Sequence, residues 1–480
     1  MWYEILYRVL GIMNYVVLLM IALPLLPQIF YVLCFFVPKK KFKRSEEKGR
    51  IAFLIPAHNE ESVIEATVRS LIEKQNYPRD MFDVFVVADN CTDKTAELAE
   101  KAGAIVLIHN DPDPAHHMAL YPLKYGVDHI INIEDNPYDM VIHFDADNHA
   151  NDDFCLYMND AFQSGVDLAR PYEGAMNASQ NFFTKACTMF YVFDSRFGSR
   201  MRERLHLAAH VNGSGAMMSV KMLKATGGYD SVTISDDTEY YINRLFDGYK
   251  GHFVEDAVVY EDMPSSLKDT YNRNKRIGSG GMKLLKTKLL KLFGKFFVTF
   301  NPSYLEIFSS YIFLFLTVLL ATWLPAFYIY NFTFLSFAAY GKLELTMYSV
   351  QYYYNTLWGT IWILGGILIG LFVLFGWLQA FFLVMTDYKR IGAKTRRELL
   401  SVVLCFPLFL ILYSITISIG AMSKPSWGKV GRNAPPPSHA ATEAEPEPAE
   451  TAEAAATSDE CVAATDKNET DAPASDEAAQ

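Results

Sequence analysis

Hydrophobic and polar positions along the chain fall into three regimes. Continuous apolar runs occupy residues 9–37, 307–330, 357–385 and 399–421, each as long as the roughly 20 residues a membrane-crossing helix requires. A mixed sequence lies between the first two runs, and a polar tail follows the last. The first run is too long for the apolar region of a secretory signal and has no small-residue cleavage site after it. Pro24 and Pro27 kink or break it. The pattern therefore predicts a membrane protein with a water-facing insert.

Within the insert, from Arg50 to about Met263, short apolar runs alternate with helical periodicity. Strands are predicted at Ile51–Pro56, Phe82–Ala88, Ala104–Ile108 and Met140–Phe144. Helices are predicted at Glu61–Lys74, Lys94–Ala102 and Thr238–Leu245. Strands and helices alternating at this spacing imply parallel strands joined by crossover helices. Ligands of such sheets gather at the carboxyl ends of the strands, where the polar clusters of this chain fall.

Charge refines the topology. Lys39, Lys40, Lys41, Lys43 and Arg44 follow the first run, and Lys389, Arg390, Lys394, Arg396 and Arg397 lie between the last two. By the positive-inside rule both clusters are cytoplasmic, which fits four spans with the insert in the cytoplasm. The same count puts the tail outside, whereas Lys424, Lys429 and Arg432 pull it inward. Leu284–Phe300, basic and aromatic, reads as an interfacial helix. The net charge of −11 resides in residues 433–480, with twelve acidic residues against one Lys; the rest of the chain is neutral. That tail, rich in Ala, Glu, Pro and Thr, is expected to be disordered, and no basic face argues for nucleic acid. The six cysteines have no C-x-x-C spacing, so neither a disulfide framework nor a zinc site is expected.

Asp145-Ala-Asp147 stands where the fourth strand breaks into a loop, presenting two carboxylates together. Such a pair suits Mg²⁺ or Mn²⁺, which bind through carboxylates and substrate phosphates; solvated or helix-capping acids are the alternative. Asp89 ends the second strand, as an Asx turn or as an acceptor for a nucleobase, and Asp93 would cap the next helix. In His58-Asn59-Glu60-Glu61, Asn59 and Glu61 cap a helix, or His58 faces a base and Glu60 a ribose. Asp236 and Asp237 either complement a helix dipole or supply a general base. The basic strip Arg273-Asn-Lys-Arg276 touches anionic headgroups, or Arg276 pairs with a leaving diphosphate.

The segments "IPAHNEE", "VVADNCTDKTAELA" and "GGYDSVTISDD", with the D-x-D between them, resemble the family 2 glycosyltransferases. The nearest branch looks like the membrane-embedded synthases of hyaluronan, cellulose, chitin and poly-N-acetylglucosamine. The resemblance covers about Arg50 to Gly281 and the flanking membrane segments. It implies an α/β GT-A domain, Rossmann-like and nucleotide-sugar-binding, at 50–283. That domain would sit in the cytoplasm between an N-terminal transmembrane helix (1–38), an interfacial helix region (284–304) and about three transmembrane helices (305–422). It implies inverting transfer from a UDP-sugar, with Mg²⁺ or Mn²⁺, to a glycan or lipid-linked acceptor at the plasma membrane, leaving room for membrane partner subunits. Position by position, His58 and Glu60 match the base and ribose motif and Asp89 the uracil reader. Asp145 and Asp147 match the donor and metal aspartates, Asn212, Gly213 and Ser214 the acceptor loop, and Asp237, beside Asp236, the general base.

Three departures from the family pattern stand out. His116 replaces the usual Lys near the phosphates, as a weaker and pH-dependent cation. Ser235-Asp236-Asp237 replaces Thr-Glu-Asp. Arg276-Ile277 keeps the Arg of the processive motif but lacks its Gln and Trp. The readings left open are polymer synthesis for the cell envelope, addition of one sugar to a polyprenyl phosphate or glycolipid, and a non-catalytic scaffold or transporter. The last is disfavoured by spans almost free of ionisable residues.

Overall fold

The four short apolar runs read as strands become strands. The computed structural model describes residues 36–339 except 114–115, together with parts of 5–32 and 351–388 and residues 390–392 and 395–423. In it the four expected strands are β1 (Ile51–Ala57), β2 (Phe82–Asp89), β3 (Ile105–His109) and β4 (Met140–His143). Alternate residues of β1 face opposite sides: Ile51, Phe53 and Ile55 join one apolar cluster, Ala52 and Leu54 another. Burial on both faces is why these strands read as unbroken apolar runs. One side is covered by α1 (Ile64–Lys74), α2 (Thr95–Lys101) and α4 (Phe154–Gln163), the other by α3 (Leu120–Ile131).

The full sheet has eight strands in the order β3-β2-β1-β4-β7-β6-β8-β5, adding β5 (His149–Ala150), β6 (Leu168–Ala175), β7 (Met217–Ser219) and β8 (Gly251–Glu261). The parallel pairing expected of the first four strands holds, and the strands added beyond them make the sheet mixed. β1 to β4 are mutually parallel, but β4–β7, β7–β6 and β8–β5 pair antiparallel, and β6–β8 parallel. The sheet is thus mixed, with the two kinds of pairing meeting at β4. β6 escapes a hydrophobic scan because Arg170 and Glu173 interrupt it. Both are buried, and they pair with each other at 3.0 Å, Arg170 reaching Asp194 as well at 2.9 Å.

After β6 the chain runs through α5 (Phe182–Phe193) and a wider π turn at Asp194–Ser199 into α6 (Arg200–Arg204); α7 (Val220–Thr226) and α8 (Asp236–Phe246) follow β7. The basic aromatic stretch expected as a separate interfacial helix is the second half of a 33-residue helix, α9 (Leu267–Thr299). No break occurs at residue 283, so Arg273, Arg276 and the aromatic stretch belong to one rod. α10 (Pro302–Ala339), α11 (Gln379–Asp387) and α12 (Arg396–Ala421) complete the described elements.

Among the described residues one helix, Arg397–Ala421, is long and apolar enough to cross a membrane. The first and third expected spans lie partly outside the described residues, and the second falls within α10. α5, α11 and α12 pack on β6 and β8 through Ala186, Met189, Phe253, Leu383, Phe406 and Phe409. α12 also crosses α9 closely: Gly278 abuts the backbone of Ile417 and Ala421, Gly420 that of Lys275, and Asn274 donates to Thr416 at 2.8 Å. The chain divides into two units at Ala440/Ala441; the second, with the expected disorder of the tail, lies outside the described residues.

Candidate active site

The carboxyl ends of β1, β2 and β3 carry His58, Asp89 and His109 side by side. His58 Nδ1 bonds the backbone carbonyl of Asp89 at 2.7 Å, and His109 Nδ1 bonds the Asp89 side chain at 2.7 Å. Asn59 and Glu61 do not cap α1, as one sequence reading had it. They reach across to the next loop, accepting the N–H groups of Thr92 at 2.8 Å and Lys94 at 3.2 Å. The Glu60 N–H donates to Thr95 Oγ1 at 2.7 Å, and Asp93 accepts the Thr95 N–H at 3.0 Å, as its capping role requires. The β1 and β2 loops are thereby laced into one rim. His116 stands in the loop beyond β3, with Nδ1 2.8 Å from Asp111 and its ring against Tyr121.

A second cluster forms where β4 meets the antiparallel strands. The Asn212–Gly215 loop ties its two acidic motifs together: Ser214 Oγ accepts the Asp145 N–H at 2.9 Å, and the Gly213 N–H donates to Asp237 Oδ2 at 2.8 Å. Gly213 and Gly215 have φ of 76° and 79°, the left-handed region where a side chain is strained. A Cβ on Gly213 would also approach Glu173 to 3.0 Å. Asp237 Oδ1 accepts from the Thr238 N–H at 2.6 Å, so both its oxygens are oriented by α8 and by the loop. Asn212 keeps a buried side-chain oxygen without a hydrogen-bond partner among the described residues.

Adjacent Asp236 is turned the other way, accepting from Tyr229 Oη at 3.1 Å. Burial, and then the charge of Asp237, push its carboxyl up to about 7. Of the two, Asp237 lines the small cavity shared with His143, Gly213, Tyr229 and Tyr240. This separates the pair: Asp237 lines the cavity and bonds the loop, whereas Asp236 bonds Tyr229.

Asp145 and Asp147 have opposite electrostatics. Burial works to raise Asp145, but His143, 3.5 Å away, and the charges of Arg276 and Arg273 outweigh it and hold the carboxyl below its usual range. Asp147 is pushed up to about 7 by burial, then by Asp145 and Glu261. A hard-oxygen pocket with excess negative charge fits a divalent cation. Among the described residues no three His, Cys, Asp or Glu side chains form a complete metal cage.

α9 delivers the positive side of the site. Arg273 is anchored to Glu261 at 2.9 Å and lies over the Tyr191 ring, and Arg276 is near enough to act on Asp145. Gly280 rests directly on the segment before α8; a Cβ there would run into the Ser235 hydroxyl. Lys288 bonds Asn243 at 2.8 Å and approaches Glu239 at 3.5 Å, pinning α9 to α8 again.

Sequence reasoning missed His143, Glu261, Tyr229 and His109. His143 was within reach, since strand alternation puts residues 143 and 145 on one face. Its imidazole ends above its ordinary range: burial lowers it, but Asp145, Asp236 and Asp237 around it prevail. The others had no local signal.

Comparison with known proteins finds two matching family models. A family model described as "Glycosyl transferase family group 2" matches residues 140–418, and one described as "Glycosyl transferase family 2" matches residues 52–115. A probable glycosyltransferase YdaM of Bacillus subtilis (strain 168) is 25% identical over 54% of this chain and 61% of its own. A beta-monoglucosyldiacylglycerol synthase of Nostoc sp. (strain PCC 7120) is 24% identical over 48% of each. The chain thus spans about half to three fifths of the length of these curated relatives. A solved structure of the mannosyltransferase PcManGT from Pyrobaculum calidifontis, in complex with GDP-Man and Mn²⁺, superposes with a TM-score of 0.46 at 14% identity. That match covers 84% of this chain and 98% of the other.

Proposed function

The chain belongs to glycosyl transferase family group 2 and is a glycosyltransferase; on that premise we propose that it transfers one sugar, with inversion, from a UDP-sugar to a lipid acceptor at the cytoplasmic face of the membrane. The observation that carries the reading is the Asn212–Gly215 loop, which locks Asp145 and Asp237 into one site. The donor diphosphate would lie at Asp145 and Asp147, beside Arg276. The acceptor would enter over Asn212, Gly213 and Ser214.

Asp237 acts as the general base. It takes the proton of the acceptor hydroxyl as that oxygen bonds to the anomeric carbon from the side opposite the diphosphate. The bond to the diphosphate breaks, and its electron pair leaves with UDP. A positioned base of this kind contributes about 10²–10⁴-fold. Mg²⁺ or Mn²⁺ held by Asp147 and Asp145 would supply charge neutralisation to the departing diphosphate. His58 and Glu60 meet the base and ribose, and His116 stands on the phosphate side. Asp236 keeps the pair from carrying two adjacent charges near neutral pH.

A lipid acceptor is favoured by the exposed apolar residues of α9, Leu290, Phe297 and Val298, interleaved with Lys291 and Lys295. Such a face lies in a membrane interface, and the same helix carries Arg276 into the site. Ile277, where processive synthases have a Trp, removes the stacking platform a growing polymer would use. The relative named for glucosyldiacylglycerol synthesis points the same way. The membrane context extends to the four-span topology expected from the apolar runs, with the catalytic domain cytoplasmic.

The test is product analysis on the full chain in nanodiscs with Mn²⁺ and radiolabelled UDP-sugars, with and without diacylglycerol or polyprenyl phosphate. One labelled lipid band is expected. High-molecular-weight product without added lipid would replace this reading with an envelope polysaccharide synthase. No turnover and no hydrolysis of any UDP-sugar would overturn the donor assignment.

A further inference from the structure

Parallel register brings Asp89 and His109 opposite each other as the last residues of β2 and β3. His109 Nδ1–H donates to Asp89 Oδ1 at 2.7 Å, and the Asn90 amide donates to the same oxygen at 3.0 Å. Asn90 folds back over its neighbour because its backbone is left-handed, with φ of 47°. Its own side-chain oxygen is taken by the Asp111 N–H at 3.0 Å, and its N–H by the His109 carbonyl at 2.8 Å. The His109 ring is backed by Tyr125 of α3 at 4.8 Å between centroids. The Asp89 side chain is only 6% exposed. Its Oδ1 has two donors, while Oδ2 has no hydrogen-bond partner among the described residues.

Resting on the reading of Asp89 as the nucleobase contact, we propose that His109 and Asn90 are the residues that set nucleobase selectivity, by clamping Asp89 so that Oδ2 alone is offered as a fixed acceptor. Uracil presents a ring N–H between two carbonyls and satisfies that acceptor. Cytosine presents a bare ring nitrogen at the same place, so two lone pairs face each other. Its amino group lies to one side, within reach only of a carboxylate free to swing. The clamp withholds that freedom. A polar group held in one orientation and left unpaired by the wrong ligand is a strong source of discrimination. His109 is a positioning residue here: it acts through Asp89 and touches no reacting atom.

The experiment is calorimetric titration of UDP and CDP, each with Mn²⁺, into the full chain in nanodiscs. Wild type is expected to prefer UDP by at least about tenfold, the scale of one hydrogen bond to a charged group. His109→Phe keeps the ring against Tyr125 but removes the N–H. It is expected to weaken UDP by about tenfold and to collapse the UDP-to-CDP ratio. His109→Gln, which restores an amide donor, should recover part of that ratio. A general structural disturbance would instead weaken both nucleotides alike and leave their ratio unchanged, which overturns the proposal. If Asp89→Asn collapses the ratio and His109→Phe does not, the clamp is wrong while Asp89 keeps its role. If Asp89→Asn leaves the ratio unchanged, or wild type shows no preference, the underlying reading of Asp89 fails, and the clamp with it.

Discussion

The two halves of the sheet are built on different plans. From β1 to β4 the strands are parallel, their cores continuous, and their polar ends are laced by neighbouring loops: Asn59 to Thr92, Glu61 to Lys94, His109 to Asp89. From β4 onward the pairing is mixed, and the acidic site is assembled from segments remote in sequence. Ser214 holds Asp145, Gly213 holds Asp237, Glu261 holds Arg273, and Ser235 bears on Gly280. On the proposed reading, the first half is the rim that meets the base and ribose, and the second is a jig in which the general base, the cation-binding acids and the arginines share supports. Changes in the first should therefore move donor affinity, whereas in the second a change at Asp237 should move turnover and a change at Asp147 or Arg276 should move donor affinity as well.

The sharpest break of that contrast is Asp237→Asn. Turnover should fall by about 10²–10⁴-fold while calorimetric UDP binding stays near wild type; loss of UDP binding would contradict the role of Asp237 as the base. Next is Asp147→Asn, which straddles the division. UDP affinity measured with Mn²⁺ should drop by at least about tenfold, and unchanged Mn²⁺ dependence would remove Asp147 from the cation site.

Gly280→Ala is smaller and tests the jig itself. The added Cβ meets Ser235, and such overpacking typically costs about 1–3 kcal/mol. We expect kcat to fall several-fold with UDP affinity little changed. The double variant with Ser235→Gly should recover activity, because the coupled pair shares one space. Failure of that rescue would mean that α9 does not locate α8 through this contact.

The smallest effect concerns pH. Asp236 is raised to about 7 in the folded protein, so its uncharged form is the one that suits its buried site. The stability it contributes is present in acid and is lost as pH rises through about 7. Melting temperature measured without divalent cation should fall between about pH 4 and pH 7 and level off above that, and Asp236→Asn should flatten that fall by a few degrees. An identical slope in the variant would place the titration elsewhere.

What the sequence by itself determined was whatever depends on neighbours along the chain. β1, β2, β3 and β4 are apolar runs ended by polar residues, so burial on both faces dictates the strands and leaves Asp89 and Asp145 at their carboxyl ends. The spacing of the D-x-D and the paired aspartates likewise survives in the site. Only tertiary structure decided the rest, because each piece depends on a partner the local pattern does not name. β6 joins the sheet although Arg170 and Glu173 interrupt its apolar run, because both find partners inside the fold: they pair with each other at 3.0 Å, and Arg170 also bonds Asp194 at 2.9 Å. Asp236 and Asp237, adjacent in sequence, divide their roles because α8 turns one to Tyr229 and the other to Gly213. His109 meets Asp89 through strand register alone. Where the long helix that holds the basic stretch lies is likewise tertiary: Gly278 and Gly280 let it pack against α12 and Ser235, contacts a larger residue would forbid.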